Sequence, residues 1–147
     1  MRAQIDMQRW LWLLVLACSW WAGVTFLRDG SVWTGTLMLV VGSAMAWWIS
    51  PWRGGRSPRH REVMDLPSQD RPVVVYWRPG CSFCARLRRR LGVEAAKVIW
   101  VNIWQDGEAA EFVRRHNDGN ETVPTVVLDG ETVTNPEPET VLARLSR

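Results

Sequence analysis

From Trp10 to Leu27, and again from Gly30 to Trp52, the chain carries no charged side chain. Wound as α-helices, such runs rise about 27 Å or more, which matches the ~30 Å hydrocarbon core of a bilayer. Arg28-Asp29-Gly30-Ser31 between them reads as a short polar turn. The pattern therefore predicts a helical hairpin with two transmembrane helices, at about 10–27 and 31–50, within an anchor of residues 1–52. Trp10, Trp12, Trp33, Trp47, Trp48 and Trp52 stand toward the predicted ends, where indoles favour the membrane interface. Gly42 and Ala46 have the small-xxx-small spacing that lets two helices approach closely. Residues 53–71 lose all periodicity and hold Pro58, Pro67, Gly54-Gly55 and several arginines. They read as a linker without fixed structure, with His60 a solvated side chain.

From Pro72 to Arg147 the pattern alternates between strand and helix periods. Val73-Val74-Val75-Tyr76-Trp77 is a β-branched and aromatic run typical of a buried strand. Phe83, Leu87 and Leu91 then recur at helical spacing, and Gly92 closes that helix. Val98 to Ile103 predicts a second strand, and Glu108 to His116 a second helix with Ala109, Phe112 and Val113 inward. Thr125 to Leu128 predicts a third strand, Asp129-Gly130 a hairpin turn, and Thr132-Val133-Thr134 a short fourth strand. Asn135-Pro136 reads as the start of a last helix with Val141, Leu142 and Leu145 inward. The order β-α-β-α-β-β-α describes an α/β thioredoxin-like sheet covered by helices.

Charge sharpens this division. Residues 1–52 hold only Arg2, Asp6, Arg9, Arg28 and Asp29 as charged side chains, and eight of the eleven tryptophans. Arg2 and Arg9 precede the first span, and Arg53, Arg56, Arg59 and Arg61 follow the second, so the positive-inside rule puts both ends in the cytoplasm. A cleaved signal peptide would account for one apolar run and leave the other unexplained. Val15-Leu16-Ala17-Cys18 has the form of a lipoprotein cleavage box. The apolar run nevertheless continues through Val24, where an acylated cysteine is followed by a polar tether, so Cys18 reads as a small apolar helix residue. The basic excess is almost all arginine beside the apolar runs or in one helix, a poor match to nucleic-acid binding. Three cysteines exclude a disulfide-stapled scaffold.

Two of those cysteines carry the candidate chemistry. Cys81-Ser82-Phe83-Cys84 lies at a strand-to-helix junction. There Cys81 would meet the unpaired N–H groups and positive dipole end of a helix, which favour a thiolate. Arg78 adds a nearby positive charge. Cys81 is thus the expected nucleophile, and Cys84, one turn inside, is placed to attack a mixed disulfide held on Cys81. As a metal site the pair offers half the usual zinc ligand set, with His60 and His116 giving no matching second half, so no metal is expected.

The pair "CSFC", followed some forty residues later by "TVPT", resembles the glutaredoxin branch of the thioredoxin superfamily. The segment "DGEAAEFVRRHNDGNETVPTVVLDGETVTNP" is most similar to the mycoredoxins of actinobacteria, which reduce mixed disulfides with mycothiol. The resemblance runs from about Val73 to Arg147 and leaves the apolar hairpin uncovered. It implies a cis Val123–Pro124 bond packed against the cysteines, with the Val123 backbone offered to the bound thiol. It further implies a thiol-binding surface of Trp77, Arg78, Phe83, Thr122, Val123 and Pro124. Ser82-Phe83 replaces the Pro-Tyr common in glutaredoxins, and middle residues tune the redox potential. Thr134-Asn135-Pro136 stands where many glutaredoxins have Gly-Gly and acidic residues that help bind glutathione, which favours mycothiol as the small thiol.

Joined to the hairpin, the resemblance implies a monomeric multi-pass thiol–disulfide oxidoreductase of a bacterial inner (plasma) membrane, its catalytic domain cytoplasmic and without a bound cofactor. Its partners would be a low-molecular-weight thiol, disulfide-containing proteins and membrane lipid. Two other expectations stand beside it: a thioredoxin-like reductant of one dedicated protein, and a non-catalytic redox sensor or adaptor.

Overall fold

The computed structural model describes residues 2–67, 70 and 73–146, with side chains from Trp10 onward. Pro72 and Arg147, the expected limits of the domain, and residues 68, 69 and 71 of the expected linker lie outside the described residues. The chain forms two compact units, residues 1–53 and 54–147.

The first unit is an antiparallel hairpin of α1 (Arg2–Arg28) and α2 (Val32–Ile49). Both helices are long and apolar enough to cross a membrane. Helix α1 starts eight residues before the apolar run, because Arg2 to Arg9 contain no proline or glycine and a polar sequence is no obstacle to helix. The helices meet through small residues: a Cβ on Gly42 would lie 2.1 Å from Ser19, and one on Gly35 2.6 Å from Leu27. Gly42 and Ala46 are both buried, so the small-xxx-small pair does face the partner helix. Across the seam the Trp20 indole N–H donates to Ser43 Oγ at 3.1 Å.

The second unit is a four-stranded sheet in the order β2-β1-β3-β4, built from β1 (Val73–Trp77), β2 (Ile99–Asn102), β3 (Thr125–Leu128) and β4 (Glu131–Thr134). β1 and β2 run parallel, and β3 is antiparallel to both β1 and β4. The period of two in β1 divides the core. Val74 and Tyr76 point into a layer with Val101, Ile103 and the inward residues of α5 (Gly107–Arg115). Val73 and Val75 point into a second layer with Leu87 and Leu91 of α4 (Ser82–Leu91) and Val141 of α6 (Pro138–Leu145). All four β1 residues are fully buried, which explains a strand without polar alternation.

Several boundaries differ from the sequence pattern for identifiable reasons. Gly92 ends α4 at φ +55, as expected, but the chain then coils into a 3₁₀ segment, Gly92–Lys97, before β2. The inward stripe of α4 is Cys84, Leu87 and Leu91, and Phe83 is 56% exposed. Helix α6 begins at Pro138 with Glu137 as its cap. Asn135 cannot start it, because it sits at φ +48 with its N–H donated to Pro124 O at 2.7 Å. Of two prolines suited to a first helical turn, the second is used.

The largest difference is in the expected linker. Residues 60–64 form a short helix, α3 (His60–Met64), and the segment before it lies along the β2 edge of the sheet. Ser57 Oγ accepts the Asn102 N–H at 2.7 Å, and Gln105 Oε1 accepts the Ser57 N–H at 3.0 Å. The Gln105 amide in turn donates to Gly55 O at 2.9 Å. An edge strand presents unpaired backbone groups, and this strap satisfies some of them. His60 is half-buried, stacked on Phe112 at 4.9 Å, with Nδ1 2.7 Å from the Tyr76 hydroxyl. Burial holds its imidazole below the ordinary value, against the opposing pull of Asp106 and Glu108. No periodicity could announce this order, since its partners lie 16 to 50 residues further along the chain.

Asn102 is 1% exposed, so its N–H depends on Ser57. Ser57→Ala is expected to destabilise the second unit by ~0.5–1.5 kcal/mol, the net contribution of a typical hydrogen bond. Chemical denaturation of the full chain in detergent measures this. An unchanged midpoint would show that the strap is not holding the edge.

Candidate active site

The end of β1 delivers the reactive loop. After Trp77 the chain turns through Arg78-Pro79-Gly80, and Gly80 takes φ +77, a conformation that L side chains rarely adopt. This turn leaves Cys81 as the N-cap of α4. Its Sγ accepts the Cys84 backbone N–H at 3.1 Å, so sulfur fills the place that a serine or aspartate oxygen takes in most helices. Cys81 is half-buried and Cys84 buried, and both are free thiols.

The two sulfurs have opposite electrostatics. Cys81 is lowered well below the ordinary thiol value, to about 6. The hydrogen bond from the Cys84 side chain is the largest cause. The Cys84 N–H, the Arg78 charge and the Phe83 N–H add to it, and together they overcome the opposing effect of burial. Cys84 is pushed upward, because its proton is held in the bond to Cys81 and because it is buried. At neutral pH the pair is thus one thiolate and one thiol, with the proton on the inner sulfur.

The facing wall comes from the loop before β3. Val123–Pro124 is cis, as the family resemblance implies, and Val123 O lies 3.4 Å from Cys81 Sγ. Several side chains hold this loop. Asn117 Nδ2 donates to Val113 O at 2.7 Å and to Thr125 Oγ1 at 3.1 Å, while Asn117 Oδ1 accepts from Thr134 Oγ1 at 2.6 Å. Thr125 Oγ1 donates to Thr122 O at 2.8 Å. Arg114 bridges Glu111 and Glu121, each at 2.7 Å. Helix α5 and strand β4 therefore determine where the Val123 carbonyl stands.

The structure gathers Cys81, Cys84, Val123 and Pro124 into one place. Phe83 and Thr122 are exposed beside them, on α4 and on the loop. Arg78 is half-buried, its guanidinium 6.0 Å from the Trp104 ring centroid. Trp77 has a different setting: its indole packs into both core layers, Nε1 is buried, and a Cβ on Gly54 would lie 2.9 Å from the ring. Among the described residues no group of three His, Cys, Asp or Glu side chains is arranged to hold a metal ion. Sequence reasoning missed Trp104, which is 9% exposed, packs in the same core layer as Cys84 and Val123, and lies beneath Arg78. Its signal was available, an aromatic side chain just past the second strand, but nothing in the sequence links it to Arg78.

A glutaredoxin family profile matches residues 73–133. A Mycobacterium tuberculosis protein assigned by name to the glutaredoxins is 40% identical over 74 residues, which cover 50% of this chain and 88% of that protein. This chain is a member of the glutaredoxin family. Mycoredoxin 1 of Corynebacterium glutamicum is 36% identical over 74 residues, covering 50% of this chain and 91% of the relative. A chloroplastic glutaredoxin of rice is 34% identical over 64 residues, 42% of this chain and 48% of that one. The family profile lies within the second unit, and the glutaredoxin domain is a thiol–disulfide oxidoreductase of that family.

Among the described residues of this glutaredoxin domain, Arg78 is the side-chain cation that lowers Cys81. Arg78→Gln is expected to move the midpoint of Cys81 alkylation upward from about 6 and to slow labelling at that pH about 2- to 5-fold. Trp104→Leu, which removes the ring beneath the guanidinium, should move it the same way by less. An unchanged pH profile in Arg78→Gln would remove Arg78 from the site.

Proposed function

We propose that the protein is a membrane-anchored reductase of mixed disulfides formed between proteins and mycothiol, working on the cytoplasmic face of a bacterial inner membrane. The observation that carries the chemistry is Cys81 Sγ at the N-cap of α4, beside the Val123 carbonyl. The Cys81 thiolate attacks the thiol-side sulfur of the mixed disulfide. A new S–S bond forms to Cys81, the old one breaks, and the protein's sulfur leaves as a thiolate that takes a proton from water. A second molecule of the small thiol, deprotonated, then attacks that adduct, giving its own disulfide and restoring Cys81. Alternatively Cys84 attacks, yielding the Cys81–Cys84 disulfide and the free small thiol, and an external thiol pair must then reduce the enzyme. Burial of Cys84, which persists when Cys81 is held in a mixed disulfide, disfavours its thiolate and slows this branch, which supports turnover through the small thiol.

Mycothiol is favoured over glutathione by the likeness to mycoredoxin 1 and by the turn after β4. Thr134-Asn135-Pro136 bears no charge and lies against the Pro124 carbonyl through the Asn135 N–H. It offers no carboxylate to the ammonium group of glutathione. The membrane anchor is supported by the length and apolarity of α1 and α2, and the cytoplasmic placement by the arginines that flank them.

The test is turnover by the full chain in detergent with a peptide–mycothiol and a peptide–glutathione mixed disulfide. Preference for the mycothiol form is expected. Cys81→Ser should fall to background, whereas Cys84→Ser should retain turnover. Equal or better use of glutathione would sink the substrate assignment. In intact cells carrying Cys18→Ser, a membrane-impermeant thiol reagent should leave Cys81 unlabelled. Ready labelling would place the domain outside.

A further inference from the structure

Helix α4 has an unusual outer surface. Burial of Cys84, Leu87 and Leu91 fixes its rotation. Phe83, Arg86 and Arg90 then fall within an arc of about 60° on one flank, at 100° per residue. All three are exposed, Phe83 by 56%. The helix contains no acidic residue, and among the described residues neither Arg86 nor Arg90 has an ion-pair partner. The nearest acid along the chain, Glu94, is taken by Lys97 at 2.7 Å. Cations near a helix C-terminus favour the macrodipole, which accounts for arginines in the last turn. That effect explains neither Arg86, in the middle of the helix, nor an aromatic ring left in solvent two residues after the nucleophile.

We infer that the line Phe83–Arg86–Arg90 is the docking surface for an acidic polypeptide segment that carries the disulfide. This rests on the oxidoreductase reading above and specifies the protein half of its substrate. Any protein substrate must bring its sulfur to Cys81, and α4 starts there. From Cys81 to Arg90 the helix rises ~13 Å, which an extended strand covers in about four residues. A segment with its cysteine at Cys81 can therefore rest apolar surface on Phe83 and place carboxylates on Arg86 and Arg90. Arginine suits this, since its fork pairs a carboxylate in a bidentate manner. Exposed, unpaired charges of one sign raise the encounter rate of an oppositely charged partner and do so less as salt rises.

The experiment uses the full chain in detergent and peptides whose cysteine forms a mixed disulfide with mycothiol. One peptide has glutamates within about six residues of the cysteine and the other has lysines there. At low ionic strength the acidic peptide is expected to have a kcat/KM ~10-fold higher, and at about 0.5 M salt the two should converge. Arg86→Gln with Arg90→Gln should remove the preference and leave turnover of a small neutral disulfide unchanged. Equal rates on the two peptides, with that turnover intact, would overturn the docking surface alone. A preference that survives in the double variant would do the same. Loss of neutral-disulfide turnover by the parent chain would instead overturn the oxidoreductase reading, and the inference with it.

Discussion

The second unit's chemistry depends on one sulfur doing two things at once. Cys81 Sγ caps α4 by accepting the Cys84 N–H, and the same interaction makes it the favoured seat of negative charge. A helix N-terminus leaves backbone donors unpaired, and an anion among them is stabilised by those donors and by the dipole. Because Cys84 contributes both its N–H and its thiol proton, the inner cysteine lowers the outer one while being raised itself. The division of labour between identical side chains thus comes from three residues of helix geometry.

That seat needs a second wall, which comes from a distant part of the chain. Val123 is 42 residues beyond Cys81, and its carbonyl reaches the sulfur because β1 and β3 are paired in the sheet. The loop that carries it is pinned by Asn117 to α5, β3 and β4, and by Arg114 to Glu121. Asn117, Arg114 and Glu121 bond to one another's elements and not to the sulfur, yet they decide how far the Val123 carbonyl stands from it. The strap before β1 plays a similar part on the opposite edge, where Ser57 and Gln105 close β2 and Gly54 lies against Trp77.

Much of this was legible in the chain order of residue types. The two apolar runs, the order of strands and helices, the cysteine pair at a strand-to-helix junction and the Val-Pro before the third strand all follow from local pattern. Local pattern misplaced what is stabilised from afar. Residues 57–64 have no periodicity, and their order comes from Asn102, Gln105, Asp106 and Tyr76. Phe83 shares the helical spacing of Leu87 and Leu91, but Cys84 occupies the buried face and turns Phe83 outward, on the side that the family resemblance gives to the thiol-binding surface.

Chain order alone therefore sets whatever rests on neighbours within a few residues: helix and strand periods, the span of the apolar helices, and a thiol at a helix start. Tertiary structure alone decided the placements that join remote segments. It set the Val123 carbonyl against Cys81, put Trp104 under Arg78, and turned an apparent linker into the cover of a sheet edge. The physical reason is that a hydrogen bond or ring contact across forty residues leaves no period in the chain. It exists only once the sheet has brought its partners together.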